Sequence, residues 1–163
     1  MKKISINMLS IADAVKGHGV ETAYNELISL LIKYGKDDLE VVHNKGLSAD
    51  ILHLHTPDPV SFFKQRLTKN TTLTYVHFLP NTLEGAIKMP GVFMDIYAWW
   101  VKKIYLKSDY LVVVNPTYID EMIKLGFDKN KIFYIPNIVS NDNFFVVSLK
   151  LKKQYLCSFW KEM

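Results

Sequence analysis

The feature that most constrains this chain is a succession of short apolar, β-branched runs separated by longer segments of helical period. The runs Ile4 to Leu9, Leu39 to His43, Ile51 to His55, Leu73 to Val76, Leu111 to Val114 and Ile132 to Ile135 read as strands. Between the first two, Val20, Ala23, Tyr24, Leu27, Leu30, Leu31 and Tyr34 recur on one helical face, and Gly35 supplies the stop. Another helix opens at Asn115-Pro116, with Asn as N-cap and Pro in the first helical position; it packs through Ile119, Met122 and Ile123 and ends at Gly126. Helices are also expected at Pro59 to Leu67 and at Val92 to Lys107. Parallel strands need crossover connections, and helical crossovers cover both faces of the sheet. The expected fold class is therefore α/β, a Rossmann-like parallel sheet with helices on both faces.

At 163 residues the chain suffices for one core that buries about 70% of the unfolded surface. Beyond Asn137 the regular succession fails, and Ser140-Asn141-Asp142-Asn143 reads as a linker. Residues 1–139 are expected to form one domain and 140–163 a linker with a divergent tail, too short for a second domain.

Composition narrows the class further. With 49% hydrophobic and 22% charged residues the chain is globular, and its net charge of +4 comes from dispersed lysines, without the polybasic block of a nucleic-acid binder. Cys157 has no partner for an internal disulfide, which fits a reducing, cytoplasmic setting. Asn7, Ser10 and Asp13 interrupt the apolar stretch that a signal peptide needs, and no run reaches the roughly 20 apolar residues of a membrane span. Any bilayer contact is expected to be peripheral.

Several residues at strand ends have chemical potential. Lys16-Gly17-His18-Gly19-Val20 joins the first strand to the first helix, where glycines admit close backbone approach and a helix N-terminus favours an anion; a tight turn is the alternative reading. His53 and His55 have strand period and share a face, with His55 at the carboxyl end, the ligand-binding edge of an open parallel sheet. A zinc site with His77 as third ligand is the weaker alternative, since neither carboxylate nor cysteine stands nearby at ligand spacing, and His53 reads as a hydrogen-bonded sheet residue. His77 ends its own strand and begins the loop Phe78 to Gly85, a position suited to ligand binding or proton chemistry, with Glu84 a weaker candidate. Asn115 and Asn137 read as cap or turn residues.

In the helix from Val92 to Lys107, Phe93, Ile96, Tyr97, Trp100 and Ile104 form an apolar stripe edged by Trp99, Lys102, Lys103 and Lys107. Aromatic rings beside lysines suit an anionic membrane surface, because amphipathic rings anchor at the headgroups and lysines attract anionic lipid. A core-facing helix of a soluble protein is the alternative.

Together these segments resemble a known family. Ile6-Asn7-Met8-Leu9-Ser10, Gly17-His18-Gly19-Val20 with Ala23-Tyr24 and Glu26-Leu27, and Ala49-Asp50 through His53 with His55-Thr56 carry the first part of the likeness. Tyr75-Val76-His77-Phe78-Leu79-Pro80 with Thr82-Leu83-Glu84-Gly85, Leu111 to Pro116 and Tyr134-Ile135-Pro136-Asn137 carry the rest. They resemble the N-terminal half of retaining GT-B glycosyltransferases of family four, over about residues 1–145 in order. Within that family they look like bacterial enzymes that extend glucosyl-diacylglycerol to a diglycosyl-diacylglycerol. The resemblance implies an acceptor-side half that faces a donor half holding a UDP-sugar, with no cofactor and no catalytic metal. It implies that Gly17, His18 and Gly19 face the donor phosphates, that His77 contacts the reacting sugar as the catalytic residue, and that His55, Thr56 and Glu84 line the glycolipid acceptor. It also implies that Trp99, Trp100, Lys102 and Lys103 meet the inner face of the cell membrane. Residues 146–163 resemble nothing in the donor half, so the chain is expected to be inactive alone. A non-catalytic membrane-surface module is the rival reading. A nucleotide-binding oxidoreductase fits poorly, because His43 and Asn44 stand where an acidic residue would hold a ribose.

Overall fold

The structure, a computed structural model, describes residues 2–11, 19–79 and 91–137. Gly17, His18, Glu84 and the tail from residue 138 onward lie outside the described residues. The chain order is β1 (Ile4–Leu9), α1 (Gly19–Gly35), β2 (Leu39–His43), β3 (Ile51–Leu54), α2 (Pro59–Leu67) and β4 (Thr71–Val76), followed by α3 (Gly91–Lys107), β5 (Tyr110–Val113), α4 (Thr117–Lys124), one turn of 3-10 helix at Lys129–Lys131, and β6 (Ile132–Tyr134). All six strands are parallel, in the spatial order β2-β1-β3-β4-β5-β6. The Rossmann-like α/β class expected from the sequence is the one observed. Strand ends move by one or two residues: β3 stops at Leu54 and β5 at Val113, while β4 begins at Thr71.

Right-handed crossovers decide where the helices go. The step from β1 to β2 runs one way along the sheet, whereas the steps from β3 to β6 run the other way, so α1 covers one face and α2, α3 and α4 the opposite face. The core divides accordingly. Ile6 and Met8 of β1 pack with Tyr24 and Ile28 of α1, and the Tyr24 hydroxyl donates to the Met8 carbonyl at 3.0 Å. On the other face Leu9, Leu52, Leu54, Val76, Leu111 and Val113 meet Val101, Ile104 and Tyr105 of α3 and Met122 of α4. Several buried polar groups between α2, α3 and β4 are bonded to one another: the Gln65 side-chain amide donates to the Ile104 carbonyl at 3.0 Å and to Ser108 Oγ at 2.9 Å, and Ser108 Oγ lies 2.7 Å from Thr74 Oγ1.

Two helical faces differ from expectation. On α1 the buried residues are Tyr24 and Ile28, with Leu27 and Leu31 packed beside them, while Tyr34 is 73% exposed. On α3 the expected stripe splits. Met94, Val101, Ile104 and Tyr105 are buried and Tyr97 and Trp100 pack against the core, whereas Phe93 and Ile96 are 59% and 55% exposed. The helix is apolar on more than one side, and contact with β4, β5 and Phe62 selects the inward face.

Helix α4 ends as the sequence indicates. Gly126 adopts φ +99°, its N–H donates to the Ile123 carbonyl at 2.9 Å, and the Phe127 N–H donates to the Met122 carbonyl at 3.0 Å, a Schellman closure whose apolar partners Met122 and Phe127 both enter the core. A Cβ at Gly126 would meet nothing within 4 Å, so replacement is penalised by backbone conformation alone. Gly126→Ala is expected to cost about 1–2 kcal/mol, read as a lower urea midpoint with an unchanged slope.

Candidate functional site

Strand order reverses between β1 and β3, so ligands of such a sheet enter the crevice at the carboxyl ends of these two strands. Thr56, just past β3, bridges that crevice: its Oγ1 accepts from the Ile11 N–H at 3.1 Å and donates to Asp58 Oδ2 at 3.2 Å. Asn44, at φ +46°, clamps the end of β1 by accepting from the Ser10 N–H and donating to the Ser10 carbonyl, each at 3.1 Å. Asp58 is the buried N-cap of α2, accepting from the Ser61 N–H at 3.0 Å and the Ser61 hydroxyl at 2.6 Å. Ser10, Asn44, Asp58 and Ser61 line a cavity of about 310 Å³ with Leu9, Ile11 and Val60. The sequence reading missed this cavity. Its one legible signal is Asp58-Pro59, the N-cap and first-position pair of a helix.

On the α1 side of the sheet the three strand-end histidines come together. His53 and His55 stack with ring centroids 5.8 Å apart, and the His55 and His77 rings are 4.4 Å apart with their Nε2 atoms at 3.1 Å. Tyr75 lies 4.8 Å from His53 and 5.4 Å from His55, and Tyr24 of α1 lies 5.1 Å from His55. His55 Nε2 also approaches the Val20 carbonyl at 3.3 Å, which ties the cluster to the first turn of α1. The rings nevertheless differ in access: His53 and His55 are buried and His77 is half-buried. Any effect of His55 on a ligand is therefore relayed through His77. Among the described residues no group of three His, Cys, Asp or Glu side chains is arranged to hold a metal ion. Gly19 is exposed and opens α1, so this helix presents its N-terminus at the same edge.

Burial holds all three imidazoles neutral. Desolvation lowers His53 to about 3, aided by the His77 charge, and lowers His77 to about 4. His55 falls to about 2, mainly by desolvation and then by the charges of His77 and His53. Burial pushes the Tyr75 hydroxyl up to about 12, so it too stays protonated and neutral.

The outward faces of α2 and α3 carry exposed apolar side chains. Phe63 of α2 is 61% exposed, and Trp99 of α3 is 56% exposed with Lys103 Nζ 5.8 Å from its ring centroid. Lys102 and Lys103 are exposed, whereas Trp100 is half-buried and packs edge-on against Phe62 at 5.2 Å. Among the described residues no helix is long and apolar enough to cross a membrane.

The neutral histidines make stability depend on pH. The folded rings bind protons only well below 6.5, where the unfolded ones bind them readily. The unfolded chain thus takes up more protons as pH falls, so stability is lost from about 6.5 downward and is insensitive to these rings above it. Each fully buried ring adds a slope of up to about 1.4 kcal/mol per pH unit. Thermal melts between pH 7.5 and pH 4.5 are expected to show a falling midpoint below about 6.5, and His53→Phe is expected to flatten that fall.

Comparison with known proteins identifies the family. The sequence model of Glycosyltransferase Family 4 matches residues 15–143. The alpha-galactosylglucosyldiacylglycerol synthase of Streptococcus pneumoniae (strain ATCC BAA-255 / R6) is 41% identical over 143 residues, which is 86% of this chain and 38% of the synthase. Among solved structures, Anabaena Alr3699/HepE in complex with UDP-glucose superposes with a TM-score of 0.59 at 13% identity, over 93% of this chain and 50% of that one. The same protein in complex with UDP gives 0.54 at 13% identity, over 94% and 50%. These structures share the fold, that of one Rossmann-like half of a GT-B enzyme. The chain thus spans well under two thirds of the relatives it matches, and within that span it belongs to glycosyltransferase family 4.

Proposed function

We propose that this chain forms the acceptor-side wall of a hexosyltransferase that moves a sugar from a UDP-sugar to a membrane glycolipid. The observation that carries the reading is the half-buried His77 at the carboxyl edge of the sheet, joined through His55 to the first turn of α1. The name of the Streptococcus pneumoniae relative supports a glycolipid product, and the UDP-glucose bound to the structural relative supports the donor class. In this reading the N-terminus of α1, with Gly17, His18 and Gly19 leading into it, favours the anionic diphosphate of the donor. His77 stays neutral at neutral pH and contributes a hydrogen bond to the sugar, with no positive charge in the cleft. The resemblance assigns Thr56 and Glu84 to the acceptor, and Thr56 ties the residues just past β1 and β3 together at the crevice. No cofactor or catalytic metal enters the scheme.

One wall does not complete a cleft, so the 163-residue chain is expected to show no transfer of labelled hexose from UDP-galactose or UDP-glucose to glucosyl-diacylglycerol. Fused to the remaining portion of the Streptococcus pneumoniae synthase it is expected to gain transfer, and His77→Ala in that fusion is expected to lower kcat by about 100-fold, the effect of losing one transition-state hydrogen bond. Turnover in the His77→Ala fusion equal to that of its parent would remove His77 from the chemistry.

The exposed Phe93, Ile96 and Trp99 beside Lys102 and Lys103 support a membrane-facing role for α3, on the inner face where anionic lipid is found. The same surface keeps a second reading in play, a membrane-surface module without catalysis. Because Trp100 is packed inward, Trp99 is the ring to remove. Vesicles containing anionic lipid are expected to co-sediment the chain, and Trp99→Ala combined with Lys103→Ala to weaken binding about tenfold, combining the loss of an interfacial ring with about 1 kcal/mol for one lysine. Equal sedimentation with anionic and neutral vesicles would contradict the charged part of this surface.

A further inference from the structure

His55 combines complete burial with two close polar contacts at a single nitrogen. Its Nε2 lies 3.3 Å from the Val20 carbonyl oxygen and 3.1 Å from His77 Nε2. A carbonyl oxygen only accepts, so the first contact is a hydrogen bond when the proton sits on His55 Nε2. A nitrogen that carries a proton has no in-plane lone pair left with which to accept. The second contact is then favourable only when His77 Nε2 is bare and shares the same proton. A neutral imidazole carries one N–H, so the His77 proton sits on Nδ1.

The opposite arrangement fails on both sides. If His77 donated from Nε2 to a bare His55 Nε2, that lone pair would face the Val20 carbonyl, and the His55 proton would move to Nδ1, which is buried with no partner among the described residues. A buried orphan donor is disfavoured more than the bare acceptor that the first arrangement leaves at the same atom. Neighbouring groups reinforce the choice. Tyr24 packs against the His55 ring and donates to the Met8 carbonyl, which holds the first turns of α1, and hence Val20, in place beside β3.

We propose that His55 is a positioning residue: anchored on the Val20 carbonyl, it fixes His77 as its Nδ1–H tautomer, so that His77 meets a sugar oxygen as a hydrogen-bond donor and not as a proton-accepting base. The ligand class rests on the transferase reading above, whereas the tautomer does not, and the two fail separately. The relay also links the helix whose N-terminus would face a donor phosphate with the ring that would touch the sugar. A shift of the first turn of α1 would be felt at His77 through one side chain.

The test needs no substrate. Imidazole nitrogen shifts of the uniformly 15N-labelled chain at pH 7 are expected to show His77 protonated at Nδ1 and bare at Nε2, and His55 protonated at Nε2. A scalar coupling between His55 Nε2 and His77 Nε2 across the hydrogen bond is expected in the same sample. His55→Gln, whose amide can donate to both partners, is expected to keep the His77 pattern, while His55→Phe moves His77 toward the Nε2–H form that free histidine prefers. His77 protonated at Nε2 in the unmodified chain would overturn the proposal, as would absence of the coupling. Both readouts come from the unmodified chain, so the decision does not depend on whether the Phe variant folds. A folded His55→Phe chain with an unchanged His77 pattern would also overturn it.

Discussion

The arrangement of this protein depends on β3 lying between β1 and β4 in parallel register, with Met8 opposite His53 and His53 opposite Leu73. That pairing ends three neighbouring strands at one edge and brings His55 Nε2 within 3.1 Å of His77 Nε2. Because the crossovers on either side of β1 run in opposite directions, no helix among the described residues closes the edge between β1 and β3. The crevice is instead shaped by short side chains bonded to backbone: Asn44 to Ser10, and Thr56 to Ile11 and Asp58. A site assembled from strand ends and helix caps is held to the geometry of the sheet, and that rigidity fits the sugar-orienting role proposed for it.

The α1 side of β3 and β4 is unusual in stacking His53, His55 and Tyr75 where apolar residues would suffice. Desolvation strips these rings of charge, so the cost of the arrangement appears as orphaned ring nitrogens and acid sensitivity, without buried cations. In return the sheet carries a polar line from its interior to the half-buried His77. Its far end is anchored by Tyr24, whose hydroxyl reaches the Met8 carbonyl and whose ring lies against His55.

Helix α3 serves two environments. Its Val101, Ile104 and Tyr105 complete the main core, while Phe93, Ile96 and Trp99 remain exposed near a group of lysines. Exposed apolar surface of this kind is a common mark of contact with another phase or partner. For a family member whose relative is a glycolipid synthase, it lies on the same domain as the proposed acceptor side.

The sequence by itself determined the element order, the cores of all six strands, the limits of α2 and the stop at Gly126, because period, caps and glycine conformation are local properties of the chain. The shared face of His53 and His55 was legible for the same reason, since side chains alternate along a strand. Membership of the family was legible through His77 and its flanking residues. The contact of His55 with His77 and Val20 was not, because it joins residues 22 and 35 positions apart and exists only once β3, β4 and α1 are packed. Nor could period alone divide α3: Phe93 and Ile96 are as apolar as Met94 and Val101, and only the position of the helix over β4 and β5 decides which pair is buried. Local chemistry wrote the elements; burial, which depends on every neighbour at once, chose which side chains face the core and which nitrogens are left to meet each other.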